Sequence, residues 1–275
     1  MSTLSSALPG LARSGRVTQA RVIRSEWTKL RSVRSTRWSL LVAIAFTIGI
    51  AAIATAVLRH HWPTMQAHDR SGFQPLDITM AGVQLAQLAI GVLGVLVISG
   101  EYSTGMIRAS LTAVPRRLPV LWGKAVVYGL TTLVLMIPAA IIAFVIGQAI
   151  LAGGDGIPHL SLGSPGAARA VVGAGLYLAV VGIFGLGLGA IVRNTAGGIA
   201  TFAAIMFVLP PLMNVLPSSW NNAASPYLPM AAGESVMSIS TGSGQLGPWT
   251  GFGLFCAYAA ASLLIAAVLL RRRDV

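Results

Sequence analysis

The chain has 275 residues, 55% of them apolar and 9% charged, with 31 glycines and a formal net charge of +12. Such a composition, with a mean hydropathy of +0.77, is too apolar for a domain wetted on all sides, which excludes an ordinary soluble fold and places the protein in a membrane. It also argues against a nucleic-acid partner, which would need the basic residues on a water-exposed fold; here they fill the gaps between apolar runs, where the acidic partner is anionic lipid.

Residues 1–16 are expected to be a disordered tail, and residues 17–275 a single transmembrane domain. The first element is read from TQARVIRSEWTKLRSVRSTR at 18–37. Ala20, Ile23, Trp27 and Leu30 recur at helical spacing, with Arg21, Arg24, Thr28 and Lys29 round the other side. This predicts an amphipathic, Arg-rich helix in the headgroup plane. Its polar residues, among them Glu26, Lys29, Arg31, Arg34 and Arg37, either anchor the first span or also meet a cytoplasmic partner. Composition is the same in both cases.

Six apolar stretches follow, at about 38–58, 78–99, 125–151, 170–192, 196–216 and 250–270, and none contains Asp, Glu, Lys or Arg. A hydrocarbon core about 30 Å thick takes roughly 20 helical residues to cross, and lipid leaves a spanning backbone no choice but a helix. The fold class is therefore an all-α polytopic membrane protein with six transmembrane helices. A start inside the cell puts sixteen of the nineteen Lys and Arg residues on the inner side and leaves Arg59, Arg70 and Arg169 outside. That asymmetry predicts cytoplasmic termini. The first apolar run is too long, and begins too far along the chain, for a cleaved signal peptide.

The first outer loop, 59–77, carries His60, His61 and His68 beside Asp69. A wet loop is the preferred account of them over a metal site, and no metal is expected. Within the spans the main polar groups are Gln84, Gln87 and Gln148. They either line a pathway or bond between helices. GIFGLGLGA at 182–190 presents Gly185 and Gly189 as a close-packing face, within or between subunits. The last outer loop, 217–249, contains SPYLPMAAGESVMSI, read as a short helix lying in the outer interface. Cys256 lies in an apolar run, expected to be a small buried residue.

No GxxxxGK[ST], HExxH or GxSxG occurs, so the chain is not expected to be an enzyme or to bind ATP through a P-loop. One polar loop stands apart: GEYSTGMIRASLTAVPRR at 100–117, followed by Gly123-Lys124. Glu-Tyr-x-x-Gly-x-x-Arg with Leu111, Thr112, Pro115, Arg116 and Arg117 resembles the loop of the ABC type 2 exporter permeases, the membrane subunits of ATP-binding-cassette exporters. SEWTKLRSVRSTRW at 25–38 is similar to the segment that introduces many actinobacterial members, and YLPMAAGESV at 227–236 resembles part of their last outer loop.

The resemblance implies a dimeric translocation pathway, made with a second copy or a paralogue, above a separate ATPase chain that holds ATP and magnesium. This chain would hold no cofactor. A cytoplasmic coupling helix would follow the second span, beside the N-terminal interfacial helix. Glu101 would cap that helix or pair with a base, Gly105 would permit the turn and Pro115 end the helix, and Arg108, Arg116, Arg117 and Lys124 would form the rest of the coupling loop. Met106, Arg108 and Ser110 depart from the family's Thr and apolar residues. The alternative is a non-transporting scaffold or sensor that uses the same loop to hold a soluble partner.

Overall fold

The computed structural model describes residues 18–103, 105, 118–215, 217–239, 242 and 244–272, and these are folded as helices and connecting turns with no strand among them. Helix α1, Gln19–Ser32, is separated from α2, Arg34–His61, by the single extended residue Val33. Two short helices, α3 at Ala67–Ser71 and α4 at Pro75–Thr79, lead to α5, Gly82–Ser103. Then come α6, Leu118–Ala152, and α7, Ala167–Val192. Helix α8, Thr195–Ala203, passes through a π-helical turn at Ala204–Val208 into α9, Leu209–Met213. The chain continues through α10, Ser218–Ala224, and α11, Pro229–Glu234, to α12, Pro248–Arg272.

Six of these segments are long and apolar enough to cross a membrane: α2, α5, α6, α7, the continuous α8–α9 unit, and α12. The protein is a multi-pass helical membrane protein. Helix α7 is its axis, with 72% of its most apolar stretch buried against 17% for α8–α9 at the rim. Two glycine contacts explain the central position. Gly94 on α5 faces the Gly182 carbonyl, and Gly185 on α7 faces the Gly91 carbonyl, each with no room for a Cβ atom. The small-residue face at 182–190 is thus used inside the chain, against α5. Tyr177 and Phe184 of α7 meet Phe255 of α12, with ring centroids 5.6 and 5.9 Å apart.

The boundaries depart from the apolar runs where helix continues past them. Helix α6 has 35 residues, about 52 Å at 1.5 Å per residue, so its first turns extend beyond a core of about 30 Å. Lys124 accordingly lies on that helix rather than in a loop. The π turn precedes Pro210 and Pro211, whose missing N–H groups cannot continue the regular ladder.

The segment read as an interfacial helix in the last outer loop instead packs inward. Ala232, Gly233 and Val236 are buried, and Gly233 rests on Tyr177 and Phe255. Arg169 fixes the turn that follows by donating to the carbonyls of Val236 at 2.9 Å and Ser238 at 2.8 Å. Arg59 similarly bonds the Gly153 carbonyl at the end of α6, supplying one of the donors that a helix C-terminus lacks. At the opposite face Arg193 donates to Leu269 at 3.0 Å and lies 5.4 Å over the Tyr102 ring. The C-terminal ends of α5, α7 and α12 therefore meet on one face.

Candidate functional site

That face carries a compact cluster of four charges. Helix α1 lies against the start of α6, held by a 3.2 Å bond from Gln19 Nε2 to the Pro119 carbonyl. Close approach depends on Gly123, where a Cβ atom would stand 3.0 Å from Val22 Cγ1 and 3.7 Å from Glu26 Cγ. With α1 in this position, Glu26 and Lys29 face Glu101 near the end of α5 and Lys124 on α6.

Lys124 Nζ lies 2.6 Å from Glu26 Oε2 and 2.6 Å from Glu101 Oε1, while Lys29 Nζ lies 2.8 Å from Glu26 Oε1 and 3.0 Å from the same Glu101 Oε1. Glu26, Glu101 and Lys124 are buried, at 5, 7 and 3% exposure. Two carboxylates and two ammoniums cancel, which is the condition under which charges survive away from water. Burial works against the Lys29 ammonium, but the hydrogen bonds and charges of Glu26 and Glu101 outweigh it and raise its pKa. Glu101 Oε2 has no hydrogen-bond donor among the described residues. Beside the cluster a cleft of about 400 Å³ opens between the α1–α2 junction, α5 and α6.

A second polar array occupies the other end of the bundle. The Tyr177 hydroxyl donates to Gln87 Oε1. Gln87 Nε2 donates to Gln84 Oε1 at 2.8 Å, and Gln84 Nε2 to Glu234 Oε1 at 2.8 Å. All three bonds point towards the carboxylate. Burial nevertheless pushes Glu234 up to about 7, against the lowering effect of the Gln84 bond.

The remaining candidates fall into place around these two arrays. Gln148 donates to the Pro75 carbonyl at 3.2 Å and accepts from the Leu160 amide at 2.6 Å, so it pins α4 and the 157–161 segment to α6. Of the three amides Gln84 is the exposed one. Trp27 is 48% exposed and Arg31, Arg34 and Arg37 are exposed. The bundle-facing side of α1 is therefore Val22 and Glu26 rather than the Ala20–Trp27 stripe, whose two ends are exposed. Gly105 has the left-handed φ of 71° that suits glycine. Arg108, Pro115, Arg116 and Arg117 lie outside the described residues. Among the described residues His60, His61, His68 and Asp69 belong to no group of three or more possible metal ligands.

Lys124 spends its ammonium on Glu26 and Glu101 in its own chain. The convergence of these side chains with Lys29, like the pairing of Tyr177 and Glu234 through two glutamines, is not visible in any local motif. One signal was present: the basic residues are nearly all arginine, and the chain's two lysines are Lys29 and Lys124. A compact, three-donor ammonium fits between two carboxylates where a planar guanidinium fork does not. No protein-family model matches the chain, and no curated protein matches it at a significant level.

Proposed function

We propose that the chain is the membrane-spanning permease subunit of an ATP-binding-cassette exporter in a bacterial cytoplasmic membrane. It pairs with a second copy or a paralogue and is driven by a separate ATPase that binds ATP and magnesium. The α1 face is cytoplasmic, in line with the concentration of basic residues there. The observation that carries this reading is the Glu26–Lys29–Glu101–Lys124 cluster.

Those four side chains join α1 to the helices whose ends, Ser103 and Leu118, flank residues 104–117. Charge pairs in a poorly polarisable setting are stiff as well as strong. A push received by residues 104–117 would thus move α1, α5 and α6 together instead of bending one of them. Transport chemistry needs no reactive group on this chain; it needs the soluble engine's motion delivered to helices in lipid. At the far end the exposed Gln84 and the Glu234 carboxyl offer a polar contact to a passing solute.

The test is purification of the full chain from its native membrane in mild detergent, with mass-spectrometric identification of its companions. A stoichiometric ATPase with a Walker A motif is expected. Gly105→Pro, which forces a negative φ where the backbone is left-handed, should leave that complex assembled and lower ATP-driven transport at least tenfold. Absence of an ATPase, under detergent that preserves other complexes in the sample, would overturn the proposal.

A further inference from the structure

The cleft beside the charge cluster has an uneven lining. Leu93, Leu96, Val97 and Val127 form an apolar wall, and Ser32, Ser35 and Thr36 form a polar rim next to Glu101 and Lys124. Its volume of about 400 Å³ is in the range of small-ligand sites, roughly 300–1,000 Å³. Membrane lies alongside: Trp38, at the start of α2, is 68% exposed, an aromatic at the depth where such side chains sit among headgroups.

The cluster itself states what it lacks. Both oxygens of Glu26 and the Oε1 of Glu101 accept lysine N–H groups. Glu101 Oε2, on a side chain 8% exposed, accepts none among the described residues and is itself shut off from the open cleft, so an occupant's donor reaches it by a turn of the carboxylate. A buried carboxylate oxygen without a donor is costly, so an occupant that brings an O–H or N–H gains what the protein leaves unmade. An ammonium would add charge to a neutral cluster beneath a strongly basic surface. A hydroxyl completes the bonding and leaves the charge unchanged. Arg31 and Arg34, next in the chain to the rim residues, are exposed, and none of the ion pairs among the described residues involves them. They suit a phosphate at the rim.

We infer that the cleft binds one phospholipid with a hydroxyl-bearing anionic headgroup, of the phosphatidylglycerol class. Its headgroup hydroxyl donates to Glu101 Oε2, its phosphate meets Arg31 and Arg34, and an acyl chain lies on the Leu93–Val97 wall. Occupancy would stiffen the junction of α1 with α5 and α6. The assignment rests on the membrane placement of the helices and not on the exporter reading, so either can fail alone.

The experiment is native mass spectrometry of the purified full chain titrated with phosphatidylglycerol, phosphatidylethanolamine and phosphatidylcholine of identical acyl chains. One phosphatidylglycerol is expected to bind at least tenfold more tightly than either of the others. Leu96→Trp, which fills the cleft without touching a charge, should lower that affinity at least tenfold, and Arg34→Gln several-fold. Equal retention of all three lipids, or undiminished phosphatidylglycerol binding in a folded Leu96→Trp chain, would sink the assignment. Phosphatidylethanolamine binding as tightly as phosphatidylglycerol would overturn the hydroxyl as the donor. A second measurement uses the unaltered chain: phosphatidylglycerol with a photoreactive headgroup should label residues 30–37 and 93–103, and labelling confined to other segments refutes the site.

Discussion

Removing the Lys124 ammonium leaves Glu26 and Glu101 buried with Lys29 as the remaining positive charge of the cluster, and removing the Glu101 carboxylate leaves two ammoniums sharing Glu26. Breaking one side of a buried pair costs about 3–5 kcal/mol, so Glu101→Gln and Lys124→Gln should each lower thermal stability in detergent sharply. The double variant removes one charge of each sign and keeps Glu26 with Lys29. Its loss should fall short of the sum of the single losses by about 2 kcal/mol or more, whereas additive losses would show that the two residues act separately. Glu234 responds to pH instead. Its carboxyl titrates near 4.5 when unfolded and at about 7 in the fold, so between those values the folded chain holds a proton that the unfolded chain has released. Stability is therefore highest at the acid end of that window and falls as pH rises through it, by at most about 3 kcal/mol. Glu234→Gln has no such loss, and melting curves from pH 5 to 8 should show the variant gaining steadily on the parent. Parallel curves would mean that the carboxylate is not held as described.

Contact between α5 and α7 depends on the absence of side-chain atoms at Gly94 and Gly185, where each helix meets a carbonyl of the other. Gly185→Leu should force the pair apart and abolish a monodisperse size-exclusion profile. Gly253→Leu, at a position on α12 with nothing within 4 Å, should leave the profile unchanged and serves as the control for added bulk in a span. The glycine pattern at 182–190 made such packing legible from the sequence, though not which helix it would meet. The six crossings were legible for the same reason: an apolar run is a local property of the chain. Helix starts were not, because helix extends back through RSTR at 34–37 and LPVLWGK at 118–124, which lie ahead of the apolar runs. That error put Lys124 at a loop mouth. The inward packing of α11 was hidden in the same way, since Ala232 and Gly233 are read as interfacial until Tyr177 and Phe255 are known to lie beneath them. Glu101 and Lys124 could be picked out singly as charges beside apolar runs. Their meeting with Glu26 and Lys29 joins positions up to 98 apart, which no local pattern records.

At the scale of the whole molecule, the distribution of charge and the position of the cluster make one joint demand. Ten of the thirteen basic residues among the described ones, all but Arg59, Arg70 and Arg169, fall on the face that carries α1, and the flanks of residues 104–117, Ser103 and Leu118, open on that same face. Basic residues are retained on the cytoplasmic side of a membrane, so the cluster and the segment it braces should both face the cytoplasm, where ATP is. Cysteine labelling checks this directly, because the chain's single cysteine, Cys256, can be removed as Cys256→Ser. In that background Gly72→Cys sits on an exposed turn with nothing within 4 Å and should react with a membrane-impermeant maleimide on intact cells. Ser103→Cys, also exposed, should react only after the membrane is opened. The reverse pattern would place residues 104–117 outside the cell, beyond reach of a cytoplasmic ATPase. The exporter reading would then fall, while the phospholipid assignment, which depends on the cleft and its chemistry and not on the side it faces, would stand to be tested on its own terms.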